Sequence, residues 1–462
     1  MNRTGENYIL RFIRSSGVFF VAIVIPKIVV FLLLSFNTAH IGTADYGYYD
    51  LSISYMTLAA YLLFFDIWIS MMRFMYEKED RAGRDTVVRS GNRVFLISCG
   101  LYAAAAVLVG LLFSVRYLFW IFLYGLTQNA ANMYVFAARG YGKNNDFAVS
   151  GLVGSVFLAV LNIVLIRGGW DFSALYAAGV AGFVAQILYL EIRVGYLRKI
   201  AKAELTPGLT KTLLKYTLPL GINSAAFWTL TSFNKIILSR VLDLSSNGIY
   251  AVAEKLAGVL TFAVLCFTYA WQDIAFNNNE IDKGKFYSDA CGLYFGFLSF
   301  AVLLMMPLIK AVFPLLIDDA YSSAALVIPF AVIATALSGY SLFMSNIFHA
   351  VKEPKAVSAS TFAACLINFA ICYPCIRYFS VMGASIAIII SFAADAVIKG
   401  AILRKKIGFK HSLNVVIPFT VLVTAGVLIY NYLNTGFNIA WFATCLALFG
   451  TSAIRYYKRK KQ

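Results

Sequence analysis

Long apolar stretches alternate with short polar connections along the whole chain. Runs such as Val18–Phe36, Leu101–Phe113, Leu256–Ala270 and Val415–Tyr430 show the pattern. A helix needs about 20 predominantly apolar residues to cross a bilayer. The pattern predicts about fourteen membrane-spanning helices, at 15–36, 47–70, 94–114, 116–138, 147–166, 172–191, 213–239, 248–271, 289–309, 322–348, 356–376, 382–402, 412–432 and 436–454.

The composition agrees with this pattern, since 61% of the 462 residues are hydrophobic and only 13% are charged. The mean hydropathy of +0.76 lies outside the range of water-soluble globular proteins. Only helices and closed barrels satisfy every backbone group in lipid. Barrel strands would be segments of about ten residues with alternating polarity, whereas these runs are longer and uniformly apolar. The sequence therefore predicts an all-α membrane protein.

The net charge is +17, and most of the basic residues lie in the connections between the predicted spans. If the N-terminus is cytoplasmic, the inside connections and the span ends beside them carry 31 of the 39 lysines and arginines, Lys399 included. The outside connections carry five, and three lie within spans: Lys27, Lys235 and Lys255. Basic residues concentrate on the cytoplasmic side of membrane proteins. The bias thus predicts two cytoplasmic termini and a basic face that attracts anionic lipids, and it argues against nucleic acid as a partner.

The two halves of the chain resemble each other weakly. The segment Thr43–Tyr48 matches Leu244–Ile249, and Leu161–Ile163 matches Ile367–Phe369, at offsets of about 201 to 210. The common order predicts two six-helix lobes around a central cleft, 1–205 and 206–405, followed by two additional helices and a basic tail at 406–462. Transporters built from such repeats bind their substrate between the halves, near the middle of the bilayer.

The first loop carries a motif of the type Leu/Ile-Gly-x-x-x-Tyr-Gly-x-Tyr, here Ile41-Gly42-Thr43-Ala44-Asp45-Tyr46-Gly47-Tyr48-Tyr49. With the six-plus-six-plus-two layout, this motif resembles the polysaccharide exporters of the multidrug/oligosaccharidyl-lipid/polysaccharide superfamily, and within them the O-antigen and capsule repeat-unit flippases. The resemblance implies an undecaprenyl-diphosphate-linked oligosaccharide as substrate.

Lysines inside spans are the first candidates for a binding site, because an ionisable group deep in a membrane usually faces a cavity or a partner. Lys27 follows Pro26 in the first predicted span. One interpretation is a cation that meets a diphosphate or an acidic sugar. The other is a structural ion pair with a carboxylate from another helix, such as Asp66 or Glu254.

The seventh span is unusually polar. Ser224, Trp228, Thr231 and Lys235 follow at i, i+4, i+7 and i+11 and therefore share one helix face. A polar and aromatic stripe suits a wall that contacts sugars. Hydrogen bonding between helices explains the same residues equally well.

Four further residues are candidates for ion coupling or pairing. Glu254 and the adjacent Lys255 must face different ways, and Glu254 is a candidate partner of Lys235 or Lys27. Asp66, like Asp395, lies towards a cytoplasmic end, where solvation or pairing with Lys or Arg is expected. Asn162 and Asn368 occupy matched repeat positions, where either hydrogen bonding between helices or ion coordination is possible.

These features predict a flippase in the bacterial inner (plasma) membrane, working by alternating access with lipid-linked oligosaccharide and membrane lipids as partners. A polysaccharide polymerase and glycosyltransferases are candidate protein partners. No cofactor or metal is expected, since the three histidines are far apart and no phosphate-binding loop is present. The alternatives are an ion-coupled multidrug exporter of the same superfamily and a membrane polymerase or glycosyltransferase. The short external connections argue against the enzymes.

Overall fold

The structure, a computed structural model, describes residues 28–29, 31–276, 283–351, 353–434 and 436–447. Every regular element in these ranges is helical. The helices are α1 (31–40), α2 (Thr43–Phe64), α3 (Ile67–Tyr76), α4 (Arg81–Leu112), α5 (Leu118–Gly140), α6 (Asn144–Arg167), α7 (Ser173–Val194), α8 (Tyr196–Lys202), α9 (Leu209–Val241), α10 (Leu244–Ala257), α11 (Leu260–Phe276), α12 (Lys283–Leu316), α13 (Ala324–Ala350), α14 (Pro354–Phe379), α15 (Val381–Ile407), α16 (Leu413–Tyr432) and α17 (Gly436–Ala447).

The helices coincide with the predicted spans. Eight of those described are long and apolar enough to cross a membrane, and nine are if the bent pair of α2 and α3 counts as one span. Helices or helix pairs occupy twelve of the predicted positions, with α10 and α11 together in the eighth, and α1 and α17 cover the described parts of the first and the last. The prediction of an all-α membrane protein is confirmed.

Local sequence determines several helix ends. Asp80 and Asp243 cap the N-termini of α4 and α10, where their carboxylates accept hydrogen bonds from the backbone N–H groups of Gly83 and Ser246. The helices α7 and α15 end at Gly195 and Gly408, whose φ angles of 69° and 73° lie in the left-handed region that glycine adopts without strain.

The described chain forms two compact units, the first of which comprises 1–41 and 48–228. In its interior, Phe64 is fully buried against Phe95 and Tyr102, with ring centroids 5.5 and 5.8 Å away. Helices α6 and α7 pack closely through Gly154 and Gly182, because a side chain at either glycine would meet the other's carbonyl oxygen.

The second unit comprises 42–47 and 229–462. Helix α13 lies at its centre and contacts α10, α11, α12 and α15. Its Phe343 stacks between Tyr294 and Trp271, with centroids 4.3 and 4.5 Å away. The unit boundary falls between Trp228 and Thr229, inside α9. The lobes with boundaries at 205/206 and 405/406 stay a prediction.

Candidate functional site

The most prominent charges of the predicted site form an ion pair in the second unit. Lys235 of α9 lies 2.7 Å from the Glu254 carboxylate of α10, and the two side chains are only 11% and 29% exposed. Of the two partners considered for Glu254, the structure therefore shows Lys235. Because both charges lie in predicted spans, each compensates the cost of placing the other in a low-dielectric environment.

Lys255 faces a different direction from Glu254, as their adjacent positions require. Its ammonium group hydrogen-bonds to the Tyr46 hydroxyl and lies 4.7 Å from the centroid of that ring. Tyr46 is fully buried and packs edge-on against Tyr321. The first-loop motif thus supplies an aromatic partner to one of the three mid-span lysines.

Two other candidates in the second unit take part in hydrogen bonds. The Asn368 amide of α14 donates to the carbonyl oxygens of Thr229 and Leu230, at 3.3 and 3.2 Å. This is the interhelical bond considered for Asn368, although its buried side-chain oxygen has no hydrogen-bond partner among the described residues. The Thr231 hydroxyl lies 3.5 Å from that of Ser232.

In the first unit, Asp66 lies at a break in a membrane span. Helices α2 and α3 meet at a bend of 49°, and Phe65 and Asp66 both have left-handed backbones, with φ of 50° and 54°. This conformation is unfavourable for phenylalanine. Two hydroxyls of α9 support the break, because Thr217 donates to the Phe65 carbonyl and Ser224 donates to the Asp66 carboxylate at 2.6 Å.

Asp66 is not solvated as expected, and its pairing with a cation such as Lys27, which lies outside the described residues, stays a prediction. Its side chain is buried, at 4% exposure, and its carboxylate accepts the hydrogen bond from Ser224. No described Lys or Arg lies within salt-bridge distance of it. The break turns the carboxylate towards α9 instead of the aqueous surface.

The polar stripe of α9 contacts protein groups. Trp228 donates from its indole nitrogen to the Ser54 carbonyl of α2 at 3.0 Å. Gly221, one turn before Ser224, lies directly against Phe65 and Tyr61. Ser224 and Trp228 therefore make the interhelical bonds that were considered as the alternative to a sugar-lined wall.

Two remaining candidates stay predictions. Asn162 of α6 is 2% exposed, and its side-chain oxygen has no hydrogen-bond partner in the part of the chain that the structure describes. Lys27, the foremost candidate, lies outside the described residues.

Sequence analysis missed a buried polar network between α13 and α15. The Lys399 ammonium donates to the Asp395 carboxylate at 2.6 Å and to the hydroxyls of Ser341 and Ser345, both at 2.9 Å. Lys399 and Asp395 are each 1% exposed. Lys399 therefore does not belong among the lysines at the membrane surface. The pairing of Asp395 with a lysine was expected, but its complete burial was not.

An apolar cavity of about 730 Å³ lies within the second unit, between α12, α13, α15 and α16. Its walls include Phe330, Ile389, Ala393 and Phe419. The few polar groups on its surface are Ser299, Tyr340, His411, Thr420 and Thr424. The volume is in the range of small-molecule sites, and such walls suit an apolar chain.

On the predicted cytoplasmic side, Lys199 of the short helix α8 lies over the ring of Tyr141, 3.4 Å from its centroid. The pKa of Lys199 is lowered to about 8, mainly by burial and also by the nearby cations Arg81 and Lys143, against the opposing effect of Asp85 and Glu191. The folded protein therefore binds this proton less tightly than the unfolded chain does.

A pH dependence of stability follows from Lys199. Between pH 8 and the ordinary lysine value of 10.5 the unfolded chain holds the proton and the folded protein has lost it, so stability should increase with pH over this window. Thermal melts in detergent should show the increase for the wild type and a smaller one for Lys199→Met. Lys202→Met, an exposed neighbour on α8, should behave like the wild type.

No group of three or more His, Cys, Asp or Glu side chains in the described ranges could hold a metal ion.

The family is identified from the amino-acid sequence. Residues 12–271, more than half of the chain, match the family described as polysaccharide biosynthesis protein. The chain belongs to this family. No curated protein sequence matches it significantly.

Several solved structures share the fold of this chain. An inward-facing multidrug resistance transporter of the MATE family and MOP superfamily matches with a TM-score of 0.67, at 14% identity over 84% of this chain and 98% of that chain. The lipid II flippase MurJ, in an inward closed conformation, matches with a TM-score of 0.64, at 13% identity over 96% and 100%. An outward-facing MATE transporter matches at 0.60, with 15% identity over 86% and 95%.

The family match and the long apolar helices show a multi-pass membrane protein of the polysaccharide biosynthesis family. Its fold resembles those of the multidrug transporters and of the lipid II flippase. The predicted resemblance to polysaccharide exporters is thereby confirmed by the family match and the fold.

Proposed function

We propose that this protein is a flippase for an undecaprenyl-diphosphate-linked oligosaccharide repeat unit. It would carry the repeat unit from the cytoplasmic to the outer leaflet of the bacterial inner membrane by alternating access. The product would serve the synthesis of a surface polysaccharide such as the O-antigen of lipopolysaccharide. The family match supports a role in polysaccharide synthesis, and the similarity to a lipid II flippase supports a lipid-linked cargo.

The apolar cavity of the second unit is the observation that carries this proposal. A lipid-linked sugar needs an apolar surface for its isoprenoid chain, separate from the polar surface for its headgroup. The cavity has a volume of about 730 Å³ and apolar walls. Binding of an isoprenoid chain is stabilised when its carbon atoms leave water and fill such an apolar site.

The headgroup would be bound by mid-span cations. Lys235 and Lys255, with Lys27, are the lysines that the charge distribution between loops does not explain. Because Glu254 pairs with Lys235, a diphosphate would compete with this carboxylate for the ammonium group. Ser224, Trp228 and Thr231 would contribute to the sugar-facing wall, and Asp66, Glu254, Asn162 and Asn368 to coupling or pairing.

We further propose the orientation of the protein in the membrane, its protein partners and the movement of its lobes. Both termini would be cytoplasmic, and the protein would act without catalysis of its own. Glycosyltransferases would supply its cargo on the inner face, and a polymerase would consume it on the outer face. Two lobes, 1–205 and 206–405, would move around a central cleft, with 406–462 as an addition.

Reconstitution in liposomes tests the function. The probe is an undecaprenyl-diphosphate oligosaccharide with a terminal galactose, whose arrival in the outer leaflet is measured by a galactose oxidase that cannot cross the membrane. Protein-dependent exposure of the sugar is expected. Efflux of ethidium driven by an ion gradient, without exposure of the sugar, would favour the multidrug exporter and refute the proposal.

Filling the cavity should impair transport of long chains selectively. Ala393→Trp places an indole in the cavity from α15, which should reduce the flipping rate of the undecaprenyl probe about tenfold, the effect of losing roughly 1.4 kcal/mol of binding. A geranyl-linked analogue should be affected less, because its short chain needs less of the cavity. Ala401→Trp, exposed on the same helix, is the control. Equal losses for both probes would show that the cavity does not hold the chain.

A further inference from the structure

The ammonium group of Lys199 on α8 has unused hydrogen-bond donors. It is almost completely buried and has no hydrogen-bond partner among the described residues. The face of the Tyr141 ring lies 3.4 Å from it and attracts the cation from one side only. An ammonium group carries three N–H donors, and a buried donor without a partner costs free energy. A ligand with acceptor oxygens would remove this cost.

The helix α8 is held to the rest of the first unit by polar side chains. The Arg89 guanidinium donates to the carbonyl oxygens of Ile200 and Ala203, towards the C-terminal end of α8. At the other end of the helix, the Tyr196 hydroxyl donates to the Asn92 side chain at 3.3 Å. The lysine on this helix therefore has a defined position on the protein.

Two further cations lie near Lys199. Arg81, the first residue of α4, and Lys143, which precedes α6, both contribute to its lowered pKa and so lie within electrostatic range of it. Lys143 donates to the Arg193 carbonyl at the end of α7. The Arg81 side chain forms no ion pair or hydrogen bond with another residue in the part of the chain that the structure describes. The mutual repulsion of three neighbouring cations favours a bound anion.

The two carboxylates near Lys199 already accept other hydrogen bonds. Asp85 accepts from the Tyr141 hydroxyl at 2.5 Å, and Glu191 accepts from the backbone N–H of Leu197 at 3.0 Å. Both oppose the lowering of the Lys199 pKa, but neither forms an ion pair with a described cation. Three cations and two carboxylates leave a net charge of +1 in the cluster.

Exposed apolar side chains adjoin these cations. Ile192 at the end of α7 and Leu197 on α8 are 83% and 59% exposed. Ile192 precedes the residue whose carbonyl binds Lys143, and Leu197 lies two residues before Lys199. Large apolar groups beside cations, at the end of a predicted span, suit the boundary between the acyl chains and the headgroups of a bilayer. A free phosphate ion would contact the cations alone.

We propose that these residues bind the phosphate of an anionic phospholipid in the cytoplasmic leaflet. We call them the α8 site, which comprises Arg81, Lys143, Ile192, Leu197 and Lys199. The two ammonium groups and the guanidinium donate charge-assisted hydrogen bonds to the phosphate oxygens. The acyl chains cover the two apolar side chains, so their exposed surface leaves water. The proposal goes beyond the proposed function, because it holds whatever cargo the protein carries.

Lipid binding to the detergent-solubilised protein tests the α8 site. The probe is dioleoyl phosphatidylglycerol, titrated while native mass spectrometry counts the bound lipids. Lys199→Met and Arg81→Gln should each weaken the tightest binding event about tenfold, whereas Lys199→Arg should retain most of the affinity. Lys406→Met, which removes a lysine from an exposed pair in the second unit, is the matched control. Equal affinities for the wild type, Lys199→Met and Lys406→Met would overturn the proposal.

Two further probes separate an anionic lipid from other phosphates. Glycerol 1-phosphate carries the phosphate without acyl chains, and dioleoyl phosphatidylcholine carries both without net charge. Ile192→Ser/Leu197→Ser should weaken the binding of phosphatidylglycerol and leave that of glycerol 1-phosphate unchanged. Glycerol 1-phosphate or phosphatidylcholine that binds as tightly as phosphatidylglycerol would overturn the assignment to an anionic lipid.

The charge of Lys199 supplies a measurement that a loss of packing would not change. Its pKa is about 8 in the folded protein, so the ammonium group that binds the phosphate is lost as the pH rises through this value. The affinity of the wild type for phosphatidylglycerol should decrease between about pH 7 and about pH 9. Lys199→Arg keeps its charge and should show a smaller decrease. Equal decreases would overturn the role of Lys199, and none of these experiments depends on transport of a lipid-linked cargo.

Discussion

Lys399→Met is expected to lower the melting temperature of the detergent-solubilised protein by about 10 °C. The substitution leaves the Asp395 carboxylate, 1% exposed, without its cation. Removing one partner of a buried ion pair costs roughly 3–5 kcal/mol, and each kcal/mol corresponds to a few degrees in a domain of this size. Thermal unfolding followed by tryptophan fluorescence measures the effect, and the yield of monodisperse protein should decrease with it.

The double variant Asp395→Asn/Lys399→Met separates burial of an uncompensated charge from loss of packing. It removes both charges, so much of the lost stability should return, since neutral replacements of a buried pair are often tolerated. Lys406→Met is the matched control, because the pair of Lys406 with Glu353 is exposed, at 51% and 39%, and is worth only about 0–1 kcal/mol. A Lys399→Met protein as stable as Lys406→Met would contradict the importance of the network.

Exchanging the charges of Lys235 and Glu254 should abolish transport while preserving stability. Lys235→Glu/Glu254→Lys keeps an ion pair between α9 and α10, but it moves the cation to another backbone position. If Lys235 binds the diphosphate, flipping should decrease by at least about tenfold, as expected when a charged contact worth more than roughly 1.4 kcal/mol is lost. Initial rates in the liposome assay, at matched reconstitution levels, measure this.

Glu254→Gln tests the role of Lys235 from the side of its partner, because it should not weaken binding of the lipid-linked probe. It removes the carboxylate that competes for the Lys235 ammonium group, so the apparent affinity for the lipid-linked probe should increase or stay unchanged. Lys202→Met, on the exposed surface of α8, is the control for a general loss of positive charge. Full activity of the exchanged pair would mean that Lys235 and Glu254 serve only to join two helices.

The sequence predicted the fold well because membranes impose strong constraints on composition. A membrane span must be largely apolar and largely helical, so the positions of most helices follow from the apolar runs. The internal repeat was also visible, and its match of Gly47 with Gly248 is a physical contact in the structure. Two residues at equivalent positions of the repeat, 201 residues apart in the sequence, are therefore in contact in the structure.

The candidate site was harder to predict, because its geometry depends on partners far away in sequence. Lys399 looked like a lysine at a span end, whereas Ser341 and Ser345, more than 50 residues earlier, determine its burial. The sequence did contain a sign of this buried network. Ser391, Asp395 and Lys399 are spaced four residues apart and therefore lie on one face of α15.

The break at Phe65 and Asp66 gave no comparable signal. Neither residue is a glycine or proline, and the hydroxyls that support the break lie more than 150 residues later on α9. Helix propensity alone would continue the span through both residues. Lys27 stays a prediction, since it lies outside the described residues.

The close backbone contact between the first turns of α2 and α10, at Gly47 and Gly248, affects how the protein is made. Thr43–Gly47 emerges from the ribosome long before Leu244–Gly248, because 201 residues separate the two turns. At 5–20 residues per second, the first turn of α2 waits about 10 to 40 s for its partner. During that time its Gly47 carbonyl lacks the Asn247 amide that binds it in the finished protein. A ribosome stalled before residue 244 should therefore yield a nascent chain whose first loop is open to proteases, and synthesis past α10 should close it.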